Sequence, residues 1–416
     1  MLTLKPLNTM KRIFTFLVVL CSVQAFATDL FVEPFALAPA FSTIGAAVEA
    51  AENGDRIIIK NDVGGTPYIE DITISKSLEF LSADADTFFV VQGDYTIEPS
   101  GGDIVVSIIS MNNLNGDIIS SAGGVARTEV NIMDSYLQNG EITLDDAQIY
   151  ATITGTSSGS VSILHGRIIG STIEGDLFIE NDLSGAATQD TLQVIASKIN
   201  GQVQLNSSVV YYQLLNNLIR ETDQFVGTAL IITEANTNGN VVHQIYGNTI
   251  SVAGRSSGGA ISGTGIRVSE TGAAIIEFMN NIVDIRGSVS VSLRNNTRAV
   301  IPSNGSAVLN FFYNVIDSDF GGVLPVTGAE FGNSEASIDN VPVSGIVTVG
   351  IDLANPDPTF NDLDLTRGDV GAFGGSFTLD NYFPLFQGSA RVFHVNVNRR
   401  IRRGNTLTIQ AEAYDR

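Results

Sequence analysis

Hydrophobic residues near the start of the chain follow a helical period. From Ser42 onward Ile44, Ala47, Val48 and Ala51 fall at i, i+3, i+4 and i+7, with Ser42 placed as N-cap and Asn53-Gly54 as the stop. A short amphipathic helix is expected there. The period then changes to that of strands: Ile57-Ile58-Ile59, Ile72 and Ile74, then Leu78 and Phe80, broken by Asp62, Gly64-Gly65 and Pro67. From about Arg56 to about Ile316 the chain consists of short β-branched runs separated by Gly, Asn, Ser and Asp. So many strands without intervening helices require an all-β fold.

Self-similarity selects which one. A small residue, any residue and an aliphatic residue recur at Ser135-Tyr136-Leu137, Gly166-Arg167-Ile168 and Ser197-Lys198-Ile199, at steps of 31 and 31. A second series, Asn217-Leu218-Ile219, Asn248-Thr249-Ile250, Asn281-Ile282-Val283 and Asn314-Val315-Ile316, has steps of 31, 33 and 33, and the two series join across 20 residues. Apolar pairs precede many anchors: Val194-Ile195, Leu214-Leu215, Ile245-Tyr246, Phe278-Met279 and Phe311-Phe312. A period of this length without a helix per repeat marks a β-solenoid, in which equivalent residues of stacked coils form ladders. Asn217, Asn248, Asn281 and Asn314 then form an amide ladder at a sharp corner, and the early helix covers an end of the stack. A β-sandwich is the rival. Its hairpin turns are present as Asn115-Gly116, Asn139-Gly140 and Asn200-Gly201, but the last two follow repeat anchors instead of joining paired strands.

The opening residues Ser42-Thr43-Ile44, Ala46 to Ala51, Asn53-Gly54-Asp55, Ile57-Ile58-Ile59 and Tyr68 to Leu78, together with Asp357-Pro358-Thr359-Phe360 and Asp369-Val370-Gly371-Ala372-Phe373-Gly374-Gly375, bracket most of the chain. In these stretches the protein resembles the secreted right-handed parallel β-helix proteins of the pectin-lyase-like superfamily. The resemblance implies that the second stretch closes the helix. It implies little about activity, because the superfamily includes lyases, hydrolases, epimerases and adhesins.

Composition adds a compartment. Lys11 and Arg12, the apolar run Ile13 to Val23 and Ala25-Phe26-Ala27 form a secretory leader ending at residue 27, too short for the ~20 residues of a membrane span. Cys21 lies inside that leader, so the mature chain from Thr28 has no cysteine and needs a hydrophobic core. The full chain of 416 residues has 22 Lys+Arg against 44 Asp+Glu, for -22; losing Lys5, Lys11 and Arg12 leaves 19 against 44, for -25. That charge argues against nucleic-acid binding. The expected organisation is a leader (1–27), a β-helix with an N-terminal helical cap (28–376) and a small β appendage (377–416), whose strands flank Gly404-Asn405 and enclose Arg399-Arg400-Ile401-Arg402-Arg403.

Motifs for chemistry are sparse. The resemblance implies that lyases of this fold use carboxylate clusters for Ca²⁺ and an Arg or Lys base; Asp145-Asp146, Glu70-Asp71 and Asp84 with Asp86 are the carboxylate pairs, none joined by a third acid at metal-loop spacing. Arg267, Arg286, Arg294 and Arg298 are candidates for a basic groove on neighbouring coils. Polygalacturonase-like motifs survive only as the fragments Leu144-Asp145-Asp146 and Leu164-His165-Gly166-Arg167. His165, His243 and His394 have no nucleophile motif beside them. No metal or cofactor is expected, except Ca²⁺ if the protein is a lyase. The reading is an exported protein, extracellular, periplasmic or on the cell surface, presenting an elongated face to a polysaccharide or cell-surface component. The alternative is a polysaccharide lyase or glycoside hydrolase whose site is assembled across coils, and the motifs do not decide between them.

Overall fold

A computed structural model describes residues 27–416 apart from 63, 85–86, 121–126, 156–158, 181–190, 222–226, 239–240, 254, 258–259, 263, 270–271, 287–297, 302–306, 318–326, 337, 339–349, 376, 384–389, 398–408 and 416. The expected leader, except Ala27, and the arginine run at 399–403 lie outside the described residues.

The protein is a right-handed parallel β-helix with three faces. The first carries strands such as Thr128–Met133, Thr191–Ile195, Tyr211–Leu215 and Val242–Tyr246. Strands of the second include Lys198–Ile199, Leu218–Glu221 and Thr249–Ala253, and those of the third Leu177–Ile179, Val203–Asn206 and Thr228–Glu234. The second face is a sheet of 12 strands. The first and third merge into one sheet of 21, because the nine-residue strands Ile142–Tyr150 and Val161–Ile169 run through the bend between them.

Parallel register stacks like residues. On the first face Ile57, Phe80, Ile108, Ile132, Ile149, Ile168, Val194, Leu214, Ile245, Phe278 and Phe311 are successive partners. None is more than 1% exposed, and the Phe278 and Phe311 rings stack at 4.8 Å. Each such side chain contributes about 1.5–3 kcal/mol relative to exposure.

The corner between the first and second faces is left-handed in successive coils, from Ser110 (φ 58°) through Asp134, Ala151, Ala196, Asn216 and Asn280 to Tyr313 (φ 54°). The following residue carries the ladder. Asn217, Asn248 and Asn281 each give Nδ2 to the next Asn Oδ1 at 2.9, 3.0 and 2.9 Å, and that oxygen also accepts the lower residue's backbone N–H. The expected ladder is present and longer than expected. Asn333 continues it above Asn314; below, Asn217 Oδ1 accepts from Ser197 N–H at 3.0 Å, and the Ser197 and Ser171 hydroxyls accept from the N–H groups of Ser171 and Thr152 at 3.3 and 3.2 Å. Gly166 was expected among the anchors and is not one: it pairs with Ala147 inside a strand, where a Cβ would stand 2.0 Å from the Ala147 carbonyl oxygen. The true steps here are 19, 26 and 20 residues, so a constant step of 31 passed over two coils.

The Asn-Gly pairs form another corner, the one leading into the third face, and not hairpins. A Cβ on Gly116 would lie 2.1 Å from the Gly93 oxygen, and one on Gly140 2.0 Å from the Gly116 oxygen. Backbone stacks on backbone there, and only Gly fits.

The helix Ile44–Ala50 covers the start of the core with Ile44, Ala47 and Val48. Its N-cap is Thr43 and not Ser42, and Glu70 of the neighbouring coil accepts from the N–H groups of Ile44 and Gly45 at 2.8 and 2.9 Å. Lys76 donates to the carbonyls of Val48, Glu49 and Ala51 at the other end, so both poles of the helix dipole meet opposite charge.

The stretch expected to close the helix lies elsewhere. After Ser334–Ala336, the last strand of the stack among the described residues, residues 350–375 and 377–383 run back along the outside of the first corner as a strap. Val370 and Ala354 cover Ile282 and Val315, whereas Ala372, Leu379 and Tyr382 reach Tyr150, Ile169 and Ile195. Beyond it Ala390–Val397 and Ile409–Asp415 form an antiparallel hairpin, the strand pair expected around Gly404-Asn405.

Candidate functional site

The first face carries the side chains able to do chemistry. Alternation points every second residue of its strands outward, and register aligns those residues in columns. One column reads Glu79, Ser107, Asn131, Gln148, Arg167, Gln193, Gln213, Gln244, Glu277, Asn310. Its middle is a directed chain of amides: Gln193 Nε2 donates to Gln213 Oε1 at 2.7 Å, and Gln213 Nε2 to Gln244 Oε1 at 3.2 Å. The amides hold one another in fixed rotamers half-exposed to solvent.

This column escaped the sequence reading, although a signal exists. A polar residue, a core aliphatic or aromatic, a second apolar residue, the left-handed corner and an Asn, Ser or Thr recur in Asn131–Ser135, Gln148–Thr152, Arg167–Ser171, Gln193–Ser197, Gln213–Asn217, Gln244–Asn248, Glu277–Asn281 and Asn310–Asn314. The second apolar position points outward, and the strap covers it.

Amide row and strap meet at a cleft of about 140 Å³ bordered by Gln244, Tyr246, Asn216, Phe360, Asp369 and Phe377. Tyr246 and Phe360 stand edge-to-face with ring centroids 6.3 Å apart. The Tyr246 hydroxyl donates to Glu277 Oε1, and burial first, then that carboxylate, push the phenol far above its ordinary pKa. Asn216 Nδ2 donates to the Gly374 carbonyl at 2.6 Å and fastens the strap. Burial raises Asp369, with the Asp362, Asp352 and Asp364 carboxylates adding to the shift against the hydrogen bond from Asp352 N–H.

The coils just before the amide row gather charge. Glu129, Asp146 and His165 are register partners on three successive coils. Asp146 meets His165 Nδ1 at 3.3 Å and Arg127 at 3.0 Å, and it is only 5% exposed. The two motif fragments around Asp146 and His165 are thus brought side by side. One position along, Arg167 Nη1 donates to both oxygens of Glu412 at 2.7 and 2.8 Å. Burial works against the Arg167 charge, but the hydrogen bonds and charge of Glu412 outweigh it and raise its pKa. Tyr150 beside it is pushed up to about 12, chiefly by burial.

The other candidates are dispersed. Arg267 is exposed on the third face in register with Ile301, Arg298 is in register with Thr264, and Arg286 stands on the second face opposite Ala253. Arg294 lies outside the described residues, and the backbone stacks none of the other three in one column. Asp71 accepts from Asp94 N–H at 2.9 Å in a corner ladder, Glu70 caps the helix, and Asp84 sits in a turn; Asp86 lies outside the described residues. His243 is buried inside the helix, receiving Tyr212 N–H at Nδ1. His394 is the register partner of Glu412. Among the described residues no group of three or more His, Cys, Asp or Glu converges as a metal site, and no helix is long and apolar enough to cross a membrane.

Comparison of the chain with protein-family models, with curated proteins and with solved structures finds no match in any of the three.

Proposed function

We propose that the protein is an exported glycan-binding β-helix, related to the pectin-lyase-like superfamily, that lays an extended neutral saccharide along its first face. The observation carrying this reading is the amide row Gln193–Gln213–Gln244. Amides both donate and accept, as sugar hydroxyls do, and a pre-ordered row loses little side-chain entropy on binding. The rung repeat of about 4.7–4.9 Å is close to the length of one pyranose unit, so successive rungs address successive sugars. A net charge of -25 without the leader (19 Lys+Arg against 44 Asp+Glu) favours neutral over anionic chains. Export rests on the leader at residues 1–27 and the absence of cysteine after it.

One observation favours a second reading. Glu129, Asp146 and His165 adjoin on successive coils with Arg127 and Arg167 beside them, two acids and basic groups of the kind glycoside hydrolysis uses. Asp146 is already engaged by Arg127 and His165, which favours a structural ion pair over a free catalytic acid.

The test takes the protein from Thr28 onward and measures retention on immobilised neutral and uronic polysaccharides, with and without Ca²⁺, while following reducing ends and unsaturated products. Binding to a neutral glycan that weakens tenfold or more in Gln213→Ala, without product, supports the first reading. Product formation abolished by Asp146→Asn replaces it with the second.

A further inference from the structure

We infer that the cleft between the strap and the first face is a pocket for one neutral pyranose ring, taking the terminal unit of a glycan that lies on the amide row; this rests on the binding reading above. Size sets the first limit. Pockets for drug-sized ligands run to roughly 300–1,000 Å³, whereas this cleft of about 140 Å³ has room for a single ring.

Chemistry sets the second. The donor direction of the amide row, Gln193 to Gln213 to Gln244, ends on Gln244, which borders the cleft, and among the described residues no hydrogen bond uses its Nε2. On the strap side Asp369 uses Oδ1 to accept Asp352 N–H at 2.8 Å, which leaves its second oxygen as an acceptor. A donor and an acceptor on two residues that border one small cavity match hydroxyl groups, each of which needs both. Tyr246, Phe360 and Phe377 supply apolar ring surface for the C–H faces of a sugar.

Charge sets the third. Asp352, Asp362 and Asp364 surround Asp369, and Glu277 lies beneath Tyr246. Among the described residues that border the cleft none is a cation, and Arg367 on the strap is turned to the Ala354 and Leu353 carbonyls, so a ring bearing a carboxylate would enter a field of like charge and the pocket discriminates against uronates. The directed amide chain ends at Gln244, beside the cleft that Phe360 borders, so the ring in the cleft is the end unit of a glycan lying on the amides.

The experiment uses the intact protein and saturation-transfer NMR with four neutral probes, the methyl pyranosides of glucose, galactose, mannose and xylose, and with methyl glucuronide. At least one neutral probe is expected to show transfer that falls tenfold or more in Gln244→Ala and in Phe360→Ala, while methyl glucuronide shows none. Phe360→Leu, which keeps apolar bulk but no ring, guards against simple loss of the strap. Phe178→Ala on the third face is expected to bind as the parent does. Equal transfer in the Gln244 and Phe360 variants, equal binding of the glucuronide, or no transfer from any probe overturns the pocket. If long neutral glycans still bind through Gln213 while no monosaccharide does, the pocket falls and the groove stands. If a monosaccharide binds through Phe360 while no long glycan is retained, the groove falls and the pocket stands.

Discussion

Arg167 and Glu412 are separated by 245 residues and joined by one nitrogen reaching both carboxylate oxygens, at 2.7 and 2.8 Å. The pair fastens the C-terminal strand pair to the first face at Arg167, the neighbour of Gln193 in the polar column. Both partners are about a third exposed, 35% and 39%, so the bond contributes at most about 1 kcal/mol and weakens with salt. Glu412→Gln is expected to leave the melting temperature almost unchanged while speeding amide exchange in Ala390–Val397 and Ile409–Asp415. Exchange in these strands that is the same in parent and variant, at low and at high salt, would show that other contacts hold the hairpin.

The asparagine ladder has a different scale. Asn248 accepts from Asn217 N–H and Nδ2 and donates to Asn281 Oδ1 and the Leu214 carbonyl, all without solvent. Truncation leaves buried polar groups unmatched at about 1–3 kcal/mol each. Asn248→Ala should therefore lower the unfolding free energy by about 3–5 kcal/mol in urea titration. Asn333→Ala, at the half-exposed end of the row, should lower it by about 1 kcal/mol. Equal effects at the two positions would contradict a cooperative ladder.

Two glycines separate strain from collision. Gly54 has φ 92° with open space around it, so Gly54→Ala costs about 1–3 kcal/mol of backbone strain and the protein still folds. Gly116 has φ 144° and a neighbouring oxygen 2.1 Å from any Cβ, so Gly116→Ala has to push two coils apart. Soluble yield and circular dichroism after expression should be near parental for the first and lost for the second.

Acid should act through His243. Burial lowers its pKa below the ordinary 6.5, while its Nδ1 accepts Tyr212 N–H and its Nε2 faces the Asn236 carbonyl at 2.9 Å. The folded state therefore prefers the neutral ring. Above the unfolded pKa the residue costs nothing; as pH falls through about 6.5 the unfolded chain gains the proton first, and stability drops until the depressed folded pKa is passed. Urea midpoints between pH 8 and pH 5 should fall more steeply in the parent than in His243→Gln. Parallel slopes would assign the acid sensitivity to carboxylates.

The sequence by itself determined the architecture, because a solenoid repeats its physics locally. Strand-length β-branched runs, an Asn at each wide-step corner and the helix at Ile44 that covers the stack are all properties of short segments. Where coils shorten to steps of 19 and 20 residues the same logic misplaced the anchor at Gly166, since the length of a loop does not alter the register of the strands it joins. Only the tertiary structure decided which residue of each apolar pair faces the core: Leu214 is inside, while Leu215 lies outside under the strap. It also decided the candidate site. Gln193, Gln213 and Gln244 are 20 and 31 residues apart, and Asp146 and His165 come from different coils. Where the step between coils varies, as at 20 and 31 residues here, side chains that meet through stacking keep no constant linear spacing, because the winding of the chain and not its order brings them within hydrogen-bond reach.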